Sequence, residues 1–325
     1  MIITRTPLRI SFAGGGTDLA SFYRAYDGGA VTSAAIDRYV HVLVNKKFDR
    51  SIRVAYSRTE NVDRLDDLQH PLFREAMRLV GIHDSVEIHT IADIPSEGTG
   101  LGSSSTTTVG LLNALYAYRG ILKDPAELAQ EACRIEIEIL GGAAGKQDQY
   151  IAAFGGVDYF EFRADETVRV SPIPLATQDR EALSEHLSLY YTGLTRSANG
   201  LLQQQSARTE LNRDALFRMR SLAADARSAV LARDFSRLGA LLDEGWALKK
   251  GLSEGISSGP IDTWYAAAKA AGAWGGKITG AGGGGFLFLL HPPERSRQIA
   301  QALSPMERLP VRITPEGSRI LFVGR

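Results

Sequence analysis

Residues 95–108 read Pro95-Ser-Glu-Gly-Thr-Gly-Leu-Gly-Ser-Ser-Ser-Thr-Thr-Thr108, and the rest of the chain is arranged around them. Three glycines stand at every second position of this stretch, which lets the backbone turn sharply and approach a ligand closely. Residues 86–91 alternate apolar and polar as a half-buried strand does, and residues 109–118 form an apolar run typical of a helix. The order strand, glycine loop, helix is therefore predicted.

A loop of this kind aims several backbone N–H groups and a helix N-terminus at one point, which makes an anion site. Hydroxyls at the start of the helix can cap it, donate to phosphate or bind Mg²⁺. A plain turn with Ser103 as N-cap is the alternative, but three glycines and the six hydroxyl side chains after them exceed what a turn needs. We predict phosphate binding by a loop that lacks both the Gly-Lys-Ser/Thr ending of a P-loop and the glycine spacing of the dinucleotide fingerprint.

The composition, with 44% hydrophobic and 23% charged residues, is that of an ordinary soluble globular protein. Lys+Arg and Asp+Glu both total 37, so no basic excess points to a nucleic acid or an anionic membrane as partner. Cys133 is the single cysteine, which excludes an intrachain disulfide and fits a reducing compartment. Since residues 1–7 lack a signal-peptide pattern and no apolar run reaches membrane-spanning length, we expect a cytoplasmic protein. The oligomeric state stays open.

A length of 325 residues is enough for two domains of ordinary size. Two prolines followed by a polar stretch predict a boundary between domains at residues 1–174 and 175–325. Within the second half, helices rich in Leu, Ala and Arg are predicted at about 198–232, with an interruption, and at 235–251. We interpret these helices as structural elements.

One helix of the first half carries an acidic residue on its apolar face. Asp124-Pro125 gives an N-cap and first-turn signal for a helix that reaches about Leu140. At ~100° per residue Glu136 falls among the apolar positions, whereas Glu138 falls on the solvated face. A buried carboxylate without a partner is costly, so Glu136 should meet a cation or a donor. A core arginine and a metal ion are both possible partners at this point.

Three glycine-rich motifs in this order resemble those of the GHMP kinases, the small-molecule kinases that include galactokinase, homoserine kinase and mevalonate kinase. They are Pro7-Leu-Arg-Ile-Ser-Phe-Ala-Gly-Gly-Gly-Thr-Asp18, Gly100-Leu-Gly-Ser-Ser-Ser105 and Lys277-Ile-Thr-Gly-Ala-Gly-Gly-Gly-Gly285. Any one of them would be weak alone, but together they span nearly the whole chain. The resemblance implies an α+β fold of two domains, with an N-terminal domain like domain 2 of ribosomal protein S5 and a ferredoxin-like C-terminal domain. ATP and a small-molecule substrate would bind between them.

Within the family, the strings Gly145-Lys-Gln-Asp-Gln-Tyr150 and Tyr191-Thr-Gly-Leu-Thr-Arg-Ser197 are most similar to the members that phosphorylate D-glycero-D-manno-heptose 7-phosphate. The function so implied is ATP- and Mg²⁺-dependent phosphorylation of the anomeric C1 hydroxyl, giving the 1,7-bisphosphate for nucleotide-activated heptose. Residues 14–18 lack the Glu and His that galactokinases carry there, which argues against galactose. An L-fucose 1-kinase or another sugar 1-kinase is the first alternative, and a non-catalytic sensor of sugar and ATP is the second.

The resemblance assigns the ATP phosphates to the central loop and Mg²⁺ to two protein oxygens. Glu136 stands twelve residues before Asp148, as the metal-binding glutamate does in related kinases, so the cation expected beside Glu136 becomes Mg²⁺. Ser104 is the other expected ligand. The residues expected to bind ATP are Pro95, Gly98, Gly100, Gly102, Ser103, Ser104 and Ser105.

The resemblance makes Asp148 the group that faces the attacking hydroxyl, as a base or as an orienting acceptor. Arg9 is expected beside it, where it can steady charge on the phosphoryl group. A helix N-cap is the structural alternative for Asp148. The residues expected to bind substrate are Gly15, Gly16, Thr17 and Asp18 in the first loop, Lys146 and Arg196 as cations for a substrate phosphate, and Gly282 and Gly283 in the third loop.

Overall fold

The chain forms two sheets, and the first of them carries the strand that leads into the first glycine loop. The computed structural model describes residues 1–94, 98–195 and 198–324. The strands are β1 (Ile2–Ala13), β2 (Gly29–Lys46), β3 (Ile52–Ala55), β4 (Thr59–Val62), β5 (Val86–Ala92), β6 (Val157–Phe162), β7 (Val168–Pro172), β8 (Leu187–Tyr191), β9 (Gly275–Ile278), β10 (Phe286–Leu290), β11 (Arg308–Leu309) and β12 (Arg319–Val323).

The first sheet has the order β12-β1-β2-β5-β3-β4, and β6 pairs with the first part of β2 and then with β7. Only β3 and β5 are parallel; the other pairs of this sheet are antiparallel. The second sheet is antiparallel throughout, in the order β11-β8-β10-β9. Because β2 has 18 residues, it serves both β5 and β6 and ties the first sheet together.

The helices cover the faces of these sheets. They are α1 (Ala20–Tyr23), α2 (Pro71–Val80), α3 (Ser103–Tyr118), α4 (Pro125–Cys133), α5 (Gln147–Phe154), α6 (Thr177–Glu185), α7 (Ala198–Ala207), α8 (Arg213–Leu231), α9 (Phe235–Lys250), α10 (Gly259–Ala270) and α11 (Ser296–Ala302). In the part of the chain that the structure describes, no helix has the length and apolar character needed to cross a membrane.

Most of the expected elements are present, and the differences have physical reasons. Strand β2 begins at Gly29 with a run of small residues that lie buried. Helix α6 occupies the polar stretch that was expected to separate two domains. The break expected in the helix at 198–232 is real, since α7 ends at Ala207 and α8 begins at Arg213.

The two halves of the chain share their packing. Strand β12, from the end of the chain, forms the edge of the first sheet beside β1, with Ile2 opposite Val323. Helix α8 lies on β2, where the Thr32 hydroxyl donates to the carbonyl of Ala223 at 2.7 Å. A boundary near residue 174 remains a prediction, and the halves on either side of it meet in one hydrophobic core.

Candidate active site

The three glycine loops converge on one cavity of about 850 Å³. Strand β1 delivers the first loop, β5 and α3 flank the central loop, and β9 and β10 hold the third loop between them. Residues at the start of α5 and on one side of α7 complete the wall. Among the residues that line the cavity are Arg9, Asp18, Ser104, Glu136, Asp148 and Lys249.

The central loop is held against the third loop by glycines that no other residue could replace without strain. Gly98, Gly100 and Gly102 have φ of 73°, 67° and 79°. A Cβ on Gly100 would lie 2.6 Å from the carbonyl oxygen of Thr279. Gly102 is the left-handed N-cap of α3, so the first turn of that helix lines the cavity. This geometry fits the predicted phosphate site; Pro95 lies outside the described residues.

The three serine hydroxyls at the start of α3 have different surroundings. The Ser104 side chain is exposed at the cavity, whereas the Ser103 hydroxyl lies 3.2 Å from that of Thr99. Ser105 was expected at the phosphates, but its hydroxyl donates to Glu136 Oε2 at 2.7 Å. We therefore assign the Ser105 side chain to the support of Glu136.

Glu136 lies on a π-helical turn (Arg134–Ile139) that continues α4. Its Oε2 also accepts from the Gln149 side chain at 2.8 Å, while its Oε1 is buried without a partner. Burial raises the pKa of this carboxyl, and the hydrogen bonds that it accepts oppose that rise. No arginine pairs with Glu136 among the described residues, so the alternative of a core arginine finds no support there.

The surroundings of Glu136 fit a magnesium ion held partly by phosphate oxygens. A buried carboxylate oxygen without a partner, on the same cavity wall as Ser104, is a hard oxygen donor of the kind Mg²⁺ prefers. Among residues 1–94, 98–195 and 198–324, no cluster of three or more His, Cys, Asp or Glu side chains could hold a metal by itself. Mg²⁺ takes one or two protein oxygens when phosphate supplies the others.

Asp148, in the first turn of α5, forms a two-pronged ion pair with Arg9 of β1. The Arg9 Nε donates to Oδ1 at 2.8 Å and its Nη2 to Oδ2 at 2.7 Å. The remaining branch, Nη1, donates to the carbonyl oxygen of Gly100 at 2.6 Å. The side chain of Asp148 is 22% exposed, whereas that of Arg9 is 5% exposed. One guanidinium thus joins the acidic residue to the central loop.

Asp18 is buried at the other side of the first loop. Its carboxylate accepts from the backbone N–H of Gly16 at 2.9 Å and from the Gln147 side chain at 3.1 Å. Burial raises its pKa; the backbone N–H of Gly16 opposes this, and the nearby charge of Asp148 adds to it. A Cβ on Gly145 would lie 1.9 Å from Asp18 Oδ2, so a glycine is required there.

Two residues expected to bind substrate have other roles in the structure. The Thr17 hydroxyl is fully buried; its single proton is shared between the carbonyls of Gly14 and Ala30, at 2.8 and 2.9 Å, and its oxygen accepts from the Ala30 N–H. The Lys146 ammonium pairs with Glu166 at 2.6 Å. Neither side chain lines the cavity. We therefore assign Thr17 and Lys146 to the support of the site; Arg196 lies outside the described residues.

In the third loop, Gly282 lines the cavity with φ of 103°. A Cβ on it would lie 2.8 Å from the side chain of Ile256, and the N–H of Gly283 donates to the carbonyl of Ile256 at 2.8 Å. Gly15 and Gly16 line the cavity from the first loop. Gly283 therefore anchors the third loop, while the other three remain candidates for contact with substrate.

The chain is similar to known proteins in both sequence and fold. Residues 70–156 match the profile of the GHMP kinases N terminal domain, and residues 226–306 match that of the GHMP kinases C terminal domain. A D-glycero-alpha-D-manno-heptose 7-phosphate kinase of Campylobacter jejuni is 32% identical over 317 residues, which cover 93% of each chain. The chain belongs to the GHMP kinase family. It is therefore an ATP-dependent kinase of small molecules, with the α+β fold that its motifs predict.

Two further relatives of this GHMP kinase differ in what their names say they act on. The crystal structure of a D-glycero-D-manno-heptose 1-phosphate kinase from Bacteroides thetaiotaomicron has a TM-score of 0.83 and 26% identity, and the match covers 100% of both chains. An L-fucokinase/L-fucose-1-P guanylyltransferase of Bacteroides fragilis is 29% identical over 92% of this chain and 36% of its own length.

The sequence analysis of this GHMP kinase missed one charged residue of the cavity. Lys249, near the end of α9, is 6% exposed and lines the cavity beside the third loop. It follows Leu242 and Trp246 at seven and three residues, which places it on the buried face of the helix. A charged residue among apolar helix positions, the signal that Glu136 gives, therefore also marks Lys249 in the sequence of α9.

Proposed function

We propose that this kinase transfers the γ-phosphoryl group of ATP to the anomeric C1 hydroxyl of D-glycero-D-manno-heptose 7-phosphate. The products are ADP and the 1,7-bisphosphate. The observation that carries the proposal is the ion pair of Arg9 with Asp148, which stands where the ATP loop meets the wall that holds Asp18. The relative from Campylobacter jejuni supports the choice of sugar.

The central loop binds the triphosphate of ATP in this proposal. Backbone N–H groups from residues 98–105 and the N-terminus of α3 face the phosphates, where the helix dipole favours negative charge. The third loop closes on the central loop, because Gly280 and Gly100 pack against each other without side chains. The γ-phosphoryl group is thereby directed toward Asp148.

Glu136 and Ser104 are the residues that would hold Mg²⁺. When bound, the ion neutralises charge on the β- and γ-phosphates. Ser105 and Gln149 fix the glutamate by donating to Oε2, so its Oε1 is left to face the cation. The protein therefore orients this carboxylate before any ligand arrives.

The acceptor hydroxyl is placed between the two aspartates. Asp148 accepts its proton as the new bond forms from the hydroxyl oxygen to the γ-phosphorus and the bond from that phosphorus to the β–γ bridging oxygen breaks. Arg9 holds the carboxylate in place through two parallel hydrogen bonds. Asp18, oriented by Gly16 and Gln147, accepts from other hydroxyls of the sugar.

The phosphate of the acceptor needs a cation of its own. Lys146 is occupied by Glu166, so we keep Arg196 as the proposed partner, because an arginine can bind a phosphate with two parallel hydrogen bonds. An L-fucose 1-kinase is the second candidate function, favoured by the match to the fucokinase of Bacteroides fragilis. A free sugar such as L-fucose has no phosphate for this cation to bind.

Steady-state assays of ADP release with heptose 7-phosphate and with L-fucose separate the two candidates. We expect turnover of heptose 7-phosphate, and we expect Asp148→Asn to lower kcat by roughly 10²- to 10⁴-fold while ADP still binds. Phosphorus NMR of the product should show a phosphate on C1. Turnover of L-fucose alone would support the second candidate, and turnover of neither would contradict both.

A further inference from the structure

Lys249 is a buried cation beside the residues that carry the proposed reaction. It belongs to α9 and is 6% exposed. Its ammonium group donates to the carbonyl oxygen of Gly280 in the third loop. An ammonium group has three N–H donors. In the described ranges Gly280 is the one hydrogen-bond acceptor that this group has, so two donors are left toward the cavity that Lys249 lines.

The charges around Lys249 come from four elements. Arg9 of β1 and Lys277 of β9 are positive, and Asp18 of the first loop and Asp148 of α5 are negative. Arg9 is paired with Asp148, and the Lys277 ammonium donates to the Ser11 hydroxyl at 2.9 Å. Lys249 has no carboxylate within salt-bridge distance among the described residues. Burial and then the charge of Arg9 lower its pKa to about 8.

A buried cation without a counter-ion is costly, and an anionic ligand would offset that cost. The position of Lys249 indicates which anion. Its partner Gly280 packs on Gly100, since a Cβ on Gly280 would lie 2.7 Å from the Gly100 Cα. Arg9 donates to the carbonyl oxygen of the same Gly100. Lys249 and Arg9 therefore approach the junction of the two loops from opposite halves of the chain.

We propose that Lys249 is a catalytic residue that contacts the phosphoryl group while it passes from ATP to the acceptor. The inference rests on the proposed function, and it adds a cation from the C-terminal half to the groups at the transferred phosphoryl, which otherwise come from the N-terminal half. Charge on the transferred group is spread over its three outer oxygens. An ammonium group that is already fixed beside the reacting atoms stabilises that charge without reorganising.

The test compares Lys249→Met with Lys250→Met on the same helix. Lys250 is exposed and pairs with Asp262 at 3.3 Å, so its loss should leave kcat within about twofold of wild type. We expect Lys249→Met to lower kcat by roughly 10²-fold, with KM for ATP and for the acceptor changed by less than about threefold. A kcat within about threefold of wild type, or a loss confined to KM, would overturn the inference.

The pH profile separates a catalytic role from mere support of Gly280. The charged form of Lys249 is lost as pH rises through a pKa of about 8, so kcat/KM of the wild type should fall above that pH. Lys249→Arg keeps its charge, and its alkaline limb should move to higher pH. If the alkaline limb of Lys249→Arg stays at the pH of the wild type, the limb belongs to another group, such as Lys277. That result would overturn the inference, and it can be obtained even if Lys249→Met fails to fold.

These measurements use whichever acceptor the wild-type enzyme turns over, or water if it turns over no sugar. The ratios between variants and wild type are therefore obtained whether or not heptose 7-phosphate is the substrate. A failure of the substrate assignment and a failure of the Lys249 assignment are thus distinguishable.

Discussion

At the scale of single residues, the site keeps charged groups in places that are unfavourable until ligands bind. Glu136 has one carboxylate oxygen buried without a partner, and burial raises its pKa. A raised pKa means that the folded state holds its proton more tightly than the unfolded state does. Stability therefore falls as pH rises from the ordinary value of 4.5 through the folded pKa. In the proposed reaction this carboxylate would hold Mg²⁺, and binding of the ion would offset the penalty.

The substitution Glu136→Gln should raise stability and lower activity. Without ligands at pH 8, we expect a higher Tm than wild type by roughly 2 °C, which corresponds to ~1 kcal/mol in a chain of this size. The difference should vanish near pH 4, where the wild-type carboxyl is protonated. We also expect the Mg²⁺ concentration for half-maximal activity to rise by roughly tenfold or more.

Differential scanning calorimetry across pH and a magnesium titration of activity check both halves of this prediction. Glu138→Gln is the matched control, because Glu138 lies on the exposed face two residues away. A Glu136→Gln enzyme with an unchanged magnesium requirement would rule out the metal role.

Glu136 could be predicted from the sequence because it is a carboxylate among the apolar positions of a helix, which departs from the usual pattern. Lys249 gives the same signal, one charged residue among the apolar positions of α9. For Thr17 and Lys146, the sequence could not show whether the side chain contacts substrate or supports the site. The Ala30 carbonyl and the Glu166 carboxylate that these side chains contact lie 13 and 20 residues further along the chain, outside the motifs.

At the scale of elements, the third loop and the central loop act as one unit. Each has a glycine with positive φ where the other comes closest, and neither position has room for a Cβ. The sequence predicted the central loop from its glycine spacing and the third loop from its resemblance to a motif of the GHMP kinases. It could not give their contact, because Gly100 and Gly280 meet only when the second sheet folds against the first.

The substitution Gly280→Ala should separate these loops. Its φ is 63°, and a Cβ there would lie 2.7 Å from the Gly100 Cα, so the backbones must move apart. We expect kcat/KM to fall by roughly 10²-fold, since a displacement of about 1 Å in a site of this kind has such an effect. Gly120→Ala has a similar φ of 75° with nothing within 4 Å, so it carries the strain without the clash.

Kinetics and thermal unfolding of the two variants separate these effects. Both should lose stability, by ~1–2 kcal/mol for a left-handed alanine, but only Gly280→Ala should lose activity. Equal activity in the two variants would mean that the loop contact is unimportant for catalysis.

At the scale of the whole molecule, the two halves of the chain complete each other. The last strand, β12, closes an edge of the first sheet, and α8 covers β2. Phe12 of β1 and Phe288 of β10 lie 6.0 Å apart between ring centres. The sequence predicted two domains from two prolines and a polar stretch. It could not show that strand β12 returns to β1, because a short strand carries no signal of its partner.

A fragment of residues 1–174 should therefore not fold on its own. Removing the second half would expose the apolar face of β2 and leave β1 as an open edge. We expect the fragment to lack a cooperative thermal transition by circular dichroism and to bind ADP at least roughly tenfold more weakly than the whole chain. Co-expression with residues 175–325 should restore both properties, because the missing strand and helices are then supplied in a second piece. A fragment that unfolds cooperatively and binds ADP as tightly as the intact enzyme would show that the boundary near residue 174 separates two independent folding units.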